Sequence, residues 1–382
     1  MKKIYFPNLN GLRFFAALMV IFHHIELLKL KFEYRNSYEY PFFSIIGKLG
    51  VVLFFVLSGF LITYLLLIEL KESKTVNIKA FYVRRILRIW PLYFLIVILG
   101  LFIIPQMYFL ERPGQLSSSF TNDLIPKLLL LIFMLPNLAL VLFSPIPYVS
   151  QVWSIGVEEQ FYLFWPVLIK RAKNFVLVFV KVISLYWFVR FFLILLNQYE
   201  YSPVFKYLLG FVASFNIDCM AIGGLFAYIY FSQQEKLLKI LYLKFTQVAV
   251  ALLTISLIGF GIRIPYPFYA LLFAIIILNA ATNSKNIYRF ENMIFNYLGK
   301  ISYGLYMFHS IVIGTCIYFL SDDYLVEGYW LYILSILLSI CVSALSYHFY
   351  EARFIKMKHK YSVVLSGDLA KETSLSKKSL KN

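Results

Sequence analysis

Residues 8–26 read NLNGLRFFAALMVIFHHIE. After the polar Asn-Leu-Asn-Gly the stretch is almost wholly apolar, with an arginine near its start and a histidine pair further on. An α-helix turns about 100° and rises about 1.5 Å per residue, so the eleventh residue after Arg13 returns to within roughly 20° of the same face, about 16 Å along the axis. That residue is His24; His23 falls roughly 80° off the line. A guanidinium and an imidazole on one face of an apolar helix are costly in lipid and need partners. The bland alternative is a snorkelling arginine and a histidine bonded to a neighbouring helix. The rarity of such groups inside membranes favours a functional reading.

The rest of the chain has the same apolar character. Of 382 residues, 61% are hydrophobic and 14% charged, and the mean hydropathy is +0.76. No soluble domain has this composition. Apolar runs long enough to span a bilayer recur from end to end. The fold class expected is therefore an all-α, polytopic transmembrane bundle. No small-residue cleavage site follows residues 8–26, which read as a retained first span rather than a signal peptide. The net charge is +17, but nucleic acid is not the expected partner. Lys and Arg sit mostly in short loops and near the C-terminus, where topology and anionic lipid headgroups account for them. Cys219, Cys316 and Cys341 lie in apolar segments without metal-like spacing, so neither a structural disulfide nor a metal site is expected.

About ten spans are expected, near residues 11–30, 48–68, 83–104, 156–171, 174–196, 207–231, 243–262, 265–282, 299–320 and 330–350. The basic loop 69–88 should be cytoplasmic, and with it both chain ends. Residues 127–143, bounded by Pro126, Pro136 and Pro145, read as re-entrant or interfacial. That choice places Lys170, Arg171 and Lys173 on the cytoplasmic side. The expected organisation is a membrane domain over 1–355 and a basic, disordered tail over 356–382.

Four further constellations place polar groups where lipid would exclude them. Ser58-Gly59 in the second span is a small pair, read chiefly as a helix-packing site. Arg84, Arg85 and Arg88 share a broad face at the mouth of the third span, suited to bidentate phosphate binding; topology anchoring is the plain alternative. Glu158 and Glu159 open an aromatic span, and Glu158 is expected to face the interior. His309 follows Ser302, Tyr303 and Tyr306 in a later span. Asp218 is another charged residue in an apolar run, which an arginine or lysine from another span could simply pair.

In this order the stretches resemble the acyltransferase 3 family of integral membrane acyltransferases. The resemblance covers about residues 5–355. Arg13 to His24 resembles the family's basic residue, ten-residue gap and histidine. Arg85 to Arg88 is similar to its Arg-x-x-Arg element. Trp153 to Leu163 is similar to its Trp-Ser-Leu-x-x-Glu-Glu-x-Phe-Tyr-Leu stretch, with Ile155 for the Leu, and Ser302 to His309 to its Ser-Tyr-x-x-Tyr-x-x-His stretch. Around Asp218 the match is looser, because Asn216 stands where members often have a basic residue. Some members carry an additional SGNH-type esterase domain; none is expected here.

The resemblance implies transfer of an acyl group, foremost acetyl, from acyl-CoA to a hydroxyl of an extracytoplasmic glycan or glycolipid such as O-antigen, capsule or exopolysaccharide. It implies a multi-pass protein of the cell (inner or plasma) membrane. Arg13, Arg84, Arg85 and Arg88 are then expected to hold the CoA phosphates. His24 is expected to act as general base or transient acyl carrier. Glu158 is expected to orient a histidine or a substrate hydroxyl, and His309 to support the site or bind acceptor. Acyl-CoA enters as co-substrate, with no metal. The rival from another class is a transporter or flippase for a glycan or lipid intermediate, which would also use intramembrane His, Arg and Glu.

Overall fold

The computed structural model describes residues 3–110, 123–199, 202–320, 322–361 and 365–366. Helices dominate it. In chain order they are α1 (Leu9–Lys31), α2 (Pro41–Ser73), α3 (Ile78–Ile98), α4 (Leu124–Ile132), α5 (Pro136–Leu142), α6 (Val152–Arg171), α7 (Phe175–Tyr199), α8 (Pro203–Ser214) and α9 (Ile217–Phe231). They continue with α10 (Glu235–Leu241), α11 (Lys244–Gly259), α12 (Tyr266–Thr282), α13 (Met293–Lys300), α14 (Ser302–Leu320), α15 (Asp323–Glu327), α16 (Tyr329–Ser346) and α17 (Ala352–Lys358). Two short strands, β1 (Lys3–Ile4) and β2 (Leu365–Ser366), pair in parallel and bring the two ends of the described chain together.

The protein is a polytopic helical membrane bundle. Among the described residues, seven helical segments are long and apolar enough to cross a bilayer. An eighth is added if α10 and α11, bent by 57°, form one span. All ten stretches expected to span are helical. The differences lie in α12, an apolar helix of 17 residues, and in α6, which carries Glu158 and Glu159 mid-helix. The proline-bounded stretch 127–143 forms α4 and α5, of 9 and 7 residues. At about 1.5 Å per residue neither can cross a hydrocarbon core about 30 Å thick.

Position in the bundle follows from burial. The apolar window of α2 is 72% buried and that of α7 only 17%, so α2 is central and α7 faces lipid. Leu185, Phe188 and Phe191 on α7 are exposed accordingly. The central contact is α2 against α9, and two glycines make it possible. A Cβ at Gly59 would lie 1.9 Å from the Met220 carbonyl oxygen, and one at Gly223 would lie 2.2 Å from that of Val56. Without a hydrophobic driving force between helices in lipid, such close backbone contact is a main source of association. The packing role expected for Ser58-Gly59 thus falls on Gly59.

The first turn of α1 is held from outside. Asn8 takes a left-handed φ of 63°. Its side chain donates to the Ala280 carbonyl (2.9 Å) and accepts from Phe290 N (2.7 Å), while its own N–H donates to Glu291 Oε2 (3.0 Å). The Asn10 carboxamide then accepts from Arg13 Nη1 at 3.0 Å, which fixes the guanidinium near the start of α1.

At the opposite end of α1, Glu26 and Lys29 form a buried ion pair at 2.9 Å. Tyr332 OH (2.6 Å) and Ser37 N donate to Glu26, and Lys29 donates to the Glu327 carbonyl at 3.2 Å. Every partner there is accounted for, as burial of charge requires. The three cysteines are free.

Candidate active site

Two cavities share a set of lining residues at the N-terminal half of α3. The outer vestibule, about 330 Å³, is lined by Arg13, Arg85, Arg88, Lys300, Lys356 and Lys358, with Glu351 as its carboxylate. The inner cavity, about 110 Å³, runs between α2, α3, α6 and α14 and is lined by Ser58, Ser154, Glu158, Tyr162 and Tyr306 among others. Arg13, Arg85, Arg88, Leu61, Ile62 and Tyr303 belong to both. They form a collar between a cationic mouth and a narrower, more apolar interior.

The collar is built from fixed side chains. Tyr303 OH donates to the Ile89 carbonyl at 2.9 Å. The Arg85 guanidinium carbon lies 5.7 Å from the Phe81 ring centroid and 5.8 Å from that of Tyr162. Stacking on aromatic faces is a habit of arginine rather than lysine. Among the described residues Arg85 Nε is buried with no hydrogen-bond partner, and a buried guanidinium donor without a partner is poised for an anionic one. Arg84 goes elsewhere. It pairs with Glu69 at 3.3 Å and donates to the Tyr361 carbonyl at 2.7 Å, and it lines neither cavity. Arg85 and Arg88 sit at the passage; Arg84 ties down the chain beside it.

Inside the collar, Glu158 receives two hydroxyls. Ser58 Oγ donates to Oε1 at 3.0 Å and Tyr162 OH to Oε2 at 2.9 Å, and the two hydroxyl oxygens are 3.0 Å apart. Glu159 points away, accepting from Trp90 Nε1 at 2.9 Å, so Glu158 is the interior member of the pair. It makes no hydrogen bond to either histidine among the described residues. Its neighbours are the two hydroxyls of Ser58 and Tyr162.

Tyr306 closes the inner end. Its hydroxyl lies 2.6 Å from Ser154 Oγ and donates to the Gln151 carbonyl at 3.0 Å. Its ring packs edge-on against Phe54 with centroids 5.7 Å apart. Gln151 in turn donates to the Met307 and Tyr148 carbonyls, at 2.8 and 2.9 Å. Behind Tyr306 stands His309, with ring centroids 5.9 Å apart, and beyond it His24, 4.6 Å from His309.

The tautomers of both histidines follow from their partners. His24 Nδ1 lies 2.9 Å from the Val20 carbonyl and His309 Nδ1 lies 2.7 Å from that of Tyr306. A carbonyl only accepts, so each Nδ1 carries the proton and each neutral ring keeps its lone pair on Nε2. His309 Nε2 accepts from Ser310 Oγ at 3.1 Å. His23 is turned aside. It bonds the Phe43 carbonyl at 2.7 Å and packs where a Cβ at Gly47 would strike its ring at 2.5 Å. Of the two, His24 is the one that meets His309. Asp218 lies outside the site: buried in the first turn of α9, it accepts from Cys219 N at 2.9 Å.

The sequence reading missed Ser154, Tyr162 and the lining role of Ser58. Ser58 and Ser154 stand on apolar helices beside residues that look like packing, and only the relative rotation of α2, α6 and α14 aims them inward. The spacing of Glu158 and Tyr162, one helical turn apart, was the available signal for Tyr162.

The sequence model of a family described as an acyltransferase domain matches residues 6–348. A Staphylococcus aureus (strain COL) protein named "Putative O-acetyltransferase SACOL0978" is 28% identical over 93% of this chain and 58% of its own length. The peptidoglycan O-acetyltransferase OatA of Listeria monocytogenes is 30% identical over 45% of this chain and 26% of its own. The chain thus spans little more than half the length of the first of these relatives. No solved structure matches. With the family match running over nearly its whole length, from before the Arg13–His24 helix to past His309, the chain belongs to the acyltransferase 3 family.

Proposed function

We propose that the protein moves an acetyl group from acetyl-CoA, entering at the cationic vestibule, to a hydroxyl of a glycan or glycolipid presented at the histidine end. The observation that carries this reading is the shared collar of Arg13, Arg85, Arg88 and Tyr303. It joins a mouth suited to phosphates to an interior that ends against Tyr306, with the facing histidines behind it. The name of the Listeria relative, a peptidoglycan O-acetyltransferase, supports a glycan acceptor. In this reading the vestibule is cytoplasmic, the histidine end lies toward the extracytoplasmic side, and the protein is a multi-pass component of the cell membrane.

The chemistry asked of the residues is modest. The pantetheine arm carries two amides, which Ser58, Glu158 and Tyr162 can meet as donors and acceptors along the narrow part. The acceptor hydroxyl gives its proton to His24 Nε2 as its oxygen bonds to the thioester carbonyl carbon. The carbon–sulfur bond then breaks, and the departing CoA thiolate takes up the proton from the His24 imidazolium. The products are an O-acetyl ester and CoA thiol. His309, with Nε2 on Ser310, is the second imidazole against which the acceptor is held.

The test is transfer of radiolabelled acetyl from acetyl-CoA in membranes holding equal amounts of wild type, His24→Ala and His23→Ala. Loss in His24→Ala alone is expected. Retained transfer in His24→Ala would remove it from the chemistry. Binding of acetyl-CoA separates this function from export of a lipid-linked intermediate, which needs no acyl donor.

A further inference from the structure

We propose that the C-terminal end of the last long helical segment, together with Lys300, forms a phosphate subsite that distinguishes coenzyme A from its 3′-dephospho form. The inference rests on the acyl-CoA reading above. Residues 356–382 look like a detached basic tail in sequence, but the start of that segment is built into the protein. The π-helical stretch Tyr347–Glu351 leads directly into α17, and π-turns of this kind re-aim side chains at functional sites. Here Tyr347 and Glu351, Lys356 and Lys358 all reach the same vestibule.

Several contacts hold the segment in place. Tyr350 OH donates to the Pro91 carbonyl at 3.1 Å, Ser346 Oγ donates to Glu351 Oε1 at 2.9 Å, and Arg84 holds the Tyr361 carbonyl. Further on, β2 pairs with β1 at the other edge of the vestibule. The wall is therefore tied to α3, to the end of α16 and to the N-terminal strand.

The cations of the vestibule fall into two groups. Arg13, Arg85 and Arg88 line both cavities; Lys300, Lys356 and Lys358 line only the outer one. Coenzyme A presents its groups in a fixed order: thioester, pantetheine, diphosphate, then adenosine with its 3′-phosphate. With the thioester inside the collar, the diphosphate falls at the guanidiniums, which bind phosphate bidentately. The 3′-phosphate, farther from the thioester, falls outside the collar among the ammonium groups, which act as point charges. The three lysines, two of them from the C-terminal segment, are thus specificity residues for the far end of the donor.

The experiment is binding of CoA and of 3′-dephospho-CoA to the full-length protein in detergent. Wild type is compared with Lys356→Gln/Lys358→Gln, Lys356→Arg/Lys358→Arg and Arg85→Ala. Wild type should prefer CoA by about tenfold or more, the scale of a charge-assisted phosphate contact. The glutamine variant should lose that preference by weakening CoA and sparing dephospho-CoA. The arginine variant should keep it, and Arg85→Ala should weaken both ligands together. If wild type binds CoA without preference, or the glutamine variant keeps the preference, the subsite is overturned while the donor reading stands. If wild type binds neither nucleotide, the donor reading itself fails and the subsite with it.

Discussion

The imidazole rings of His24 on α1 and His309 on α14 meet edge to face, 4.6 Å between centroids and 70° between planes. Each is held by its Nδ1 on a carbonyl of its own helix, so both lone pairs are kept for Nε2. A general base of this kind contributes about 10²- to 10⁴-fold to rate. Within that range, His24→Ala should lose transfer and His309→Ala should fall in the same direction. His23→Ala should keep activity, because His23 is spent on Phe43 and Gly47. Acetyl transfer at matched protein levels checks all three.

The arginines should separate cleanly. Arg85→Ala and Arg88→Ala should weaken acetyl-CoA binding, each by about tenfold, as loss of a charge-assisted phosphate contact does. Arg84→Ala should leave donor binding near wild type and lower stability by about 1–3 kcal/mol. It removes the partner of Glu69 and the tie to Tyr361, although Glu69 keeps Asn77 N at 2.8 Å. Titration calorimetry and thermal unfolding on the same three proteins give both readouts.

Adjacent carboxylates offer a second internal control. Glu158→Gln replaces a double acceptor with an amide that must donate at one end, against two hydroxyls in the inner cavity. Transfer should fall by more than about tenfold as the passage loses a double acceptor and its fixed hydroxyls. Glu159→Gln should stay close to wild type, since an amide oxygen still accepts from Trp90 Nε1.

The α2–α9 contact makes a prediction about folding alone. Gly59→Ala places a carbon where the Met220 carbonyl oxygen stands, 1.9 Å away, so the helices must part. The variant should fail to accumulate or should unfold well below wild type. Gly259→Ala meets nothing within 4 Å and should be neutral or slightly stabilising, by up to about 1 kcal/mol, from its helix propensity. Fluorescence-detected size exclusion after heating distinguishes them.

Much of this arrangement was legible in the sequence because lipid makes polar residues conspicuous. Arg13 stands out near the start of an apolar helix and lines both cavities, and of the adjacent glutamates Glu158 lines the inner one. Helices were found wherever apolar runs were long. What could not be read depends on rotation and contact between helices. Ser58 and Gly59 form one small pair in sequence, yet the glycine packs and the serine faces Glu158. Arg84 and Arg85 are neighbours, yet one holds Glu69 and the other stacks on Phe81 and Tyr162. The first residues of the expected tail, from 356, form the last turn of α17 and run to Tyr361, whose carbonyl Arg84 holds. Residues 367–382 of that expected tail lie outside the described residues.

The central claim is that the acyl end of the donor passes the arginine collar into the inner cavity, toward the histidine pair behind Tyr306. It is tested most directly by a photoreactive acyl-CoA carrying its reactive group on the acyl chain. The labelled peptides would be identified by mass spectrometry, with and without excess acetyl-CoA. The account predicts competable labelling of α6 or α14, at residues near Ser154, Glu158 or Tyr306. Competable labelling confined to the vestibule wall, at Lys300 or residues 347–358, would show that the acyl group never enters the inner cavity and would contradict the account.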